Sequence, residues 1–285
     1  MIRGLKFVAM AVVAFVFLFP VLIVFTNSFM SGFEIVTRYT PFVRPGNVHF
    51  AADGIHFVRF TLIPDFVSFG QYFALLFGHP AYLGRFWNSV ALAVPIVVGQ
   101  LLISAPAAYA FEMSRNRFKE AVFLLYIIVM LMPLQVTLVP NFIMMDWLGF
   151  AESRWAIILP GMVNPLGVFI MRQFLRNLPR DYTESAQIDG AGVLRVFFLV
   201  IAPLFKPAFA AVMMLAFVEN WNLVEAPRIF LDAAREPLSI YLAQMADANL
   251  DMIFAASFFY LLPCVLVFMY GQEFMIEGIQ LSGIK

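Results

Sequence analysis

Charge is scarce in this chain. Of 285 residues only 13% are Asp, Glu, Lys or Arg, and 18 basic residues balance 18 acidic ones to a formal net charge of zero. A soluble domain carries about a quarter charged residues, so a soluble fold is excluded. No basic cluster is dense enough to attract nucleic acid. Cysteine is scarcer still. Cys264 stands alone in an apolar run, which rules out an intrachain disulfide and makes a buried, inert thiol the plain reading. All three histidines, His49, His56 and His79, fall between residues 30 and 87. Their spacing, without cysteine nearby, lacks the convergence a metal needs, and they read as surface residues. Signatures of catalysis are missing too. No Gly-x-x-x-x-Gly-Lys-Ser/Thr occurs, so the chain has no ordinary cradle for ATP, and neither His-Glu-x-x-His nor Gly-x-Ser-x-Gly is present. Gly190-Ala191-Gly192 lacks the lysine of a phosphate loop. Acidic residues are almost absent from the apolar runs, which argues against a proton relay.

What the chain has in abundance is apolar sequence: 62% of residues are hydrophobic, 34 of them Phe, and the mean hydropathy is +0.88. An all-α integral membrane protein follows, with residues 1–285 as one transmembrane domain. A span needs about 20 apolar residues. Six runs qualify: about 7–29, 88–111, 121–145, 154–174, 202–221 and 252–274. The first is too long for a signal-peptide core and lacks a small-x-small cleavage site. Pro20, Pro95, Pro133, Pro160, Pro207 and Pro263 punctuate the runs, and membrane helices tolerate proline where neighbours satisfy the freed carbonyls. Basic residues set the orientation. Arg115, Arg117 and Lys119 lie in one short loop, and Arg172, Arg176, Arg180 and Arg195 in another. Both loops share a side with Arg3 and Lys6, whereas 146–153 has no Lys or Arg. Both termini are therefore expected in the cytoplasm. The outer loop 30–87 holds Arg38, Arg44, Arg59 and Arg85, but it is too long for the rule to bind. Within it, Phe69 to Phe77 reads as a short interfacial helix resting on the membrane, with contact to a docking partner as the alternative.

Between the fourth and fifth runs, in the loop 175–200, lies a polar island. Asp181 is a good N-cap with Glu184 three residues on, so a short helix should begin near Tyr182. Gly190 can take the left-handed conformation that ends it. A further helical turn should run from Leu194 to Val200, with Pro203 and Pro207 in the entry of the next run.

Glu184-Ser185-Ala186, Asp189-Gly190-Ala191, Phe197, Ile201, Pro203-Leu204 and Pro207 together resemble the EAA loop of bacterial ABC importer permeases. Ser185 stands where Ala is usual there, a small-for-small departure. Two further stretches are similar to carbohydrate permeases. Met132 to Pro140 matches a Pro-x-Gln-Val-Thr-Leu-x-Pro segment. Glu219-Asn220-Trp221-Asn222 matches a Trp-Asn motif, departing at Leu223 and Val224. The likeness runs from Asn27-Ser28-Phe29 to the tail after Phe274, which is similar to that of the maltose-type group, and is weakest over 30–87. It implies the six-helix permease fold of that group. It also implies that Glu184, Ser185, Ala186, Asp189, Gly190 and Ala191 form a coupling helix that docks in a cytosolic ATPase, with the tail reaching toward the ATPase dimer interface. The implied partners are a second permease subunit, two ATPase subunits that hold ATP and Mg, an extracytoplasmic solute-binding protein and membrane lipid. This chain itself would bind no cofactor. Its place would be the bacterial cytoplasmic (inner) membrane.

Uncharged polar residues at membrane depth suit a sugar better than an ion. Gln135, Asn141 and Asn164, with Asn220, Trp221 and Asn222 at the outer end of the fifth run, are candidates to line a path for a carbohydrate, expected to be an oligosaccharide. Gln100 and Thr137 share the chemistry. The competing role for each is hydrogen-bonded glue between helices. An ion- or proton-coupled secondary transporter is the second function class; it calls for inverted repeats and membrane acids, and no clear repeat is evident.

Overall fold

The computed structural model describes residues 2–43, 61–114, 116–179 and 181–282. Expectations resting on His49, His56, Arg44, Arg59, Arg115 and Arg180, and on the side chain of Arg3, lie outside the described residues. Among those described, all regular structure is helical. In chain order, α1 is Ile2–Asn27, α2 Gly32–Val43, and α3 Gly70–Phe73, which widens into a π turn at Ala74–Gly78. Then come α4 Pro80–Met113, α5 Lys119–Met130, α6 Leu134–Trp147, α7 Trp155–Met162 and α8 Pro165–Asn177. The polar island forms α9 Asp181–Ile188 and α10 Val193–Val196, and a π turn at Phe197–Ile201 leads into α11 Ala202–Leu204. The remainder is α12 Lys206–Trp221, α13 Glu225–Phe230, α14 Leu238–Ala248 and α15 Ile253–Ser282.

Four helical stretches are long and apolar enough to cross a bilayer: Gly4–Asn27, Pro80–Met113, Trp155–Asn177 and Leu250–Phe274. Two bent pairs bring the total to six if each is one span: Lys119–Met130 with Leu134–Trp147, bent by 103°, and Val193–Leu204 with Lys206–Trp221, bent by 71°. The third and fifth runs are thus bent, although the count of six spans is kept if each bent pair is one span. The reason is local. Pro133 is extended, at ψ 143°; it has no N–H to continue α5 and it disfavours helix at Met132. In the fifth, the break falls at Phe205, and Pro207 occupies the first turn of α12, where proline is well tolerated. At about 34 residues × 1.5 Å, α4 is longer than the ~30 Å hydrocarbon core, so it extends beyond the expected 88–111.

The chain forms two compact units, Met1–Phe86 with Leu238–Pro263, and Trp87–Pro237 with Cys264–Lys285. The first packs around Leu75, Tyr82, Leu238, Met245 and Met252. Its centre is Gln71, 3% exposed, whose amide donates to the carbonyls of Asn27 and Met30 at 3.0 and 2.7 Å and accepts from Ala255 N at 3.3 Å. The Phe69–Phe77 stretch is helical from Gly70 on. Gln71 and Leu75 anchor one face inside the unit, and Phe69, Phe73 and Phe77 keep the other exposed.

The second unit has two cores. One gathers Leu92, Ile96, Leu138, Met145 and Ile157 with Ala226 and Phe230. Asn88 fixes the return after α13: its amide donates to the carbonyls of Ala234 and Glu236 at 3.0 and 3.1 Å and accepts from Arg154 at 2.6 Å. The other core joins Ala105, Ala108, Tyr109, Phe123, Val168, Met171 and Leu175 to Val196, Phe197, Ile201 and Phe205. Here α4 and α8 approach closely because Gly167 has no side chain. A Cβ there would stand 2.5 Å from Ser104 Oγ and 3.3 Å from Gln100, the small-residue seam that substitutes for a hydrophobic driving force in lipid.

Candidate functional site

The polar island folds close to its sequence expectation. The helix α9 begins at Asp181, so this residue lies in the first turn and is not the residue before it, a shift of the kind helix ends commonly show. The Ser185 hydroxyl donates back to the Asp181 carbonyl. The exit is fully specified. Gly190 has φ +81°, its N–H donates to Gln187 O at 3.0 Å, and the N–H of Ala191 donates to Ala186 O at 3.0 Å. These two bonds with a left-handed glycine are the Schellman arrangement. Nothing lies within 4 Å of a Cβ built at Gly190, so its requirement is for backbone shape and not for space.

The faces of α9 divide the candidate residues. Thr183 is buried, and Ala186 and Ala191 pack against the Tyr109–Phe197 core. Ala186 is half-buried, and its methyl packs α9 onto this core. Glu184, Ser185 and Asp189 are exposed. So are apolar residues that the motif did not single out: Ile188 at 86%, Leu194 at 73% and Tyr182 at 51%. Together they form part of the exposed apolar surface of this loop. The signal in the sequence was Ile188 itself, apolar in a helix otherwise made of Asp, Tyr, Thr, Glu, Ser, Ala and Gln.

The mount of this loop holds a further residue that loop counting misplaced. Arg172 is in α8, 1% exposed. Its Nε is 3.3 Å from Glu112 Oε2 and its Nη2 2.5 Å from Glu120 Oε1. Its guanidinium carbon sits 4.0 Å from the centre of the Phe123 ring. Arg176 adds a longer approach to Glu112 at 3.9 Å.

The proposed path residues separate into two kinds. Asn220 and Trp221 are buried; Asn220 donates to Ala216 O at 2.7 Å within its own helix, and Trp221 stacks on Phe217. Asn222 is exposed and donates back to Val218 O at 2.7 Å. Of these three path candidates, two are buried and one is exposed. Asn164 caps α8, accepting from Leu166 N at 2.9 Å, and its amide lies 3.5 Å from Glu219 Oε2. Gln135 is exposed and donates to both oxygens of Glu225, at 3.0 and 3.1 Å. Asn141 is half-buried on α6. Two acids, Glu219 at the end of the fifth run and Glu225 beyond it, meet the two amides placed on the path. Among the described residues no group of three or more His, Cys, Asp or Glu stands ready for a metal.

A helical bundle with up to six spans and a rigid helix–glycine–helix loop is the build of a membrane transport subunit. The chain belongs to the family of binding-protein-dependent transport system inner membrane components, whose family model matches residues 82–275. It is 33% identical over 226 residues to the arabinooligosaccharides transport system permease protein of Bacillus subtilis (strain 168), covering 78% of this chain and 80% of that relative. To the lactose transport system permease protein of Rhizobium radiobacter it is 28% identical over 204 residues, covering 70% and 74%. Among solved structures it is similar in fold to a chain of a bacterial ABC transporter involved in the import of the acidic polysaccharide alginate, with TM-score 0.75, 95% of both chains covered and 23% identity. The protein is a transmembrane subunit of an ABC importer in the inner membrane, and its family works with a solute-binding protein and an ATPase.

Proposed function

We propose that this subunit carries a neutral oligosaccharide inward and that α9–α10 couples it to ATP hydrolysis on partner ATPases. The observation that carries the coupling reading is the division of α9 into a seated face and an open one. Ala186 and Thr183 hold the helix to the bundle, while Tyr182, Ser185, Ile188 and Asp189 remain free to enter a cleft. ATP and Mg belong to those partner subunits, because this sequence lacks a lysine-bearing phosphate loop. A second permease subunit completes the path, since Glu219 and Gln135 are exposed on this chain and a carboxylate facing lipid is costly. Relatives named for arabinooligosaccharides and lactose support a saccharide. Paired amide and carboxylate groups at Asn164–Glu219 and Gln135–Glu225 supply hydrogen bonds for hydroxyls, and their negative charge disfavours an acidic sugar.

Both termini then face the cytoplasm. With Cys264 replaced by Ala, single cysteines at Arg117 and at Gly78 should label from opposite sides of the membrane; same-side labelling would overturn that orientation. The substrate reading is tested by uptake into vesicles holding the complete importer: neutral oligosaccharides should be taken up and uronate oligosaccharides should not.

A further inference from the structure

A buried arginine at the foot of the coupling loop calls for a physical reason. An apolar side chain of similar size generally serves packing as well as a buried ion pair or better, and the rings of Phe111 and Phe123 lie against the Arg172 guanidinium. The two carboxylates it holds differ. Glu112, at the end of α4, is 13% exposed, and Glu120, at the start of α5, is 56% exposed. Water can take over Glu120 when it leaves Arg172, whereas Glu112 is largely withdrawn from water and is also approached by Arg176. In addition, Arg172 Nη1 is buried with no hydrogen-bond partner among the described residues. Buried donors are nearly always paired, so this network holds one donor more than its present arrangement uses. Beneath α9 lies a cavity of about 230 Å³ lined by Glu112, Arg176, Tyr182 and Thr183 among others. It leaves α9 room to shift against the Arg172 cluster.

We propose that Arg172 is a positioning residue for transport, a latch that passes displacement of the coupling loop to α4 and α5, with Glu120 as its releasable arm. This rests on the coupling reading of α9. Residues Leu178 and Pro179 alone separate the end of α8 from the residue before α9, so a push on α9 arrives first at the helix that carries Arg172. The Arg172–Glu112 arm keeps α8 and α4 together. The Arg172–Glu120 arm takes α5, the first half of a bent span, along with them, or lets it go.

The test uses the complete importer in vesicles. Glu120→Gln keeps the shape and a hydrogen-bond acceptor but removes the charge, leaving Arg172 paired to Glu112. Complex assembly, thermal stability and basal ATPase rate should stay at wild-type values. Uptake and ATPase stimulation by loaded binding protein should fall together by about tenfold, the size of an ordinary coupling energy. Glu120→Asp should recover part of the loss. A neutral triple variant, Arg172→Met with Glu112→Gln and Glu120→Gln, removes the latch without stranding a charge and should show the same uncoupling in an assembled complex. Wild-type stimulation in both Glu120→Gln and the triple variant would overturn the proposal. So would loss of stimulation that tracks loss of assembly or of thermal stability, which is what a purely structural pair predicts. Ile188→Asp separates this reading from the one beneath it. Released ATPase subunits mark failure at the docking face, whereas an uncoupled complex that keeps its ATPases marks failure at the latch.

Discussion

The coupling loop and the path region use their polar residues in opposite ways. In the loop, polar groups are satisfied within a dozen residues of chain: Gly190 and Ala191 close α9 onto Gln187 and Ala186, and Ser185 bonds to Asp181. That local closure leaves Tyr182, Ser185, Ile188 and Asp189 exposed. Among the path candidates, by contrast, Gln135 reaches Glu225 and Asn164 reaches Glu219 across long stretches of chain, while Asn220 and Asn222 bond within their own helix. On the proposed reading, the loop offers a shape to a partner, and the path offers hydrogen bonds that a hydroxylated ligand can exchange with. Substitutions in the two places should fail differently, the first by losing shape and coupling, the second by losing transport alone.

The largest effect is expected at Gly190. A residue with a Cβ at φ +81° costs on the order of 1 kcal/mol, and more when β-branched. Gly190→Val should therefore abolish uptake and stimulated hydrolysis, read as ATPase rate with and without loaded binding protein. Ala186→Trp comes next. Because Ala186 faces the bundle, the penalty of roughly 1–3 kcal/mol for overpacking falls on this chain itself, and lowered thermal stability should accompany lost coupling. Should Ala186→Trp uncouple with unchanged stability, the inward placement of Ala186 would be the weak point.

On the path side the effects are smaller. Gln135→Leu leaves the Glu225 carboxylate without its amide donor and should cut uptake several-fold, each lost hydrogen bond being worth about 1 kcal/mol. Assembly and basal ATPase rate should be retained. Asn164→Leu removes a helix cap as well, about 1 kcal/mol, so its loss of uptake should come with a small fall in melting temperature. The smallest effect belongs to Asn220→Ala. Its amide donates to Ala216 in the same helix, and uptake should stay near wild type. A large loss there would place Asn220 on the path after all.

The contrast also explains what could be read from the residues in order. A glycine-closed helix depends on neighbours in sequence, so Asp181 to Gly190 was legible almost to the residue. The spans were legible as apolar runs, but the bends at Pro133 and Phe205 were not, because apolar content is blind to direction. Contacts between distant helices left no mark. Glu219 and Glu225 read as parts of a motif and of a loop until their amide partners were seen beside them. Arg172 read as a loop charge, since a basic residue after an apolar run looks the same whether it faces water or two glutamates. Ala186 kept its place in the motif but faces the bundle, because a motif lists residues and does not say which side they serve.

The account rests most on the open face of α9. ATPase stimulation by loaded binding protein, measured in vesicles with Ile188→Asp, tests it directly. Ile188 is 86% exposed, so the substitution leaves the fold of this chain intact while placing a charge where the partner cleft should close. The prediction is stimulation lost by at least about tenfold, with ATPase subunits dissociating from a membrane subunit of unchanged thermal stability. Wild-type stimulation would contradict the claim that this loop is the coupling element.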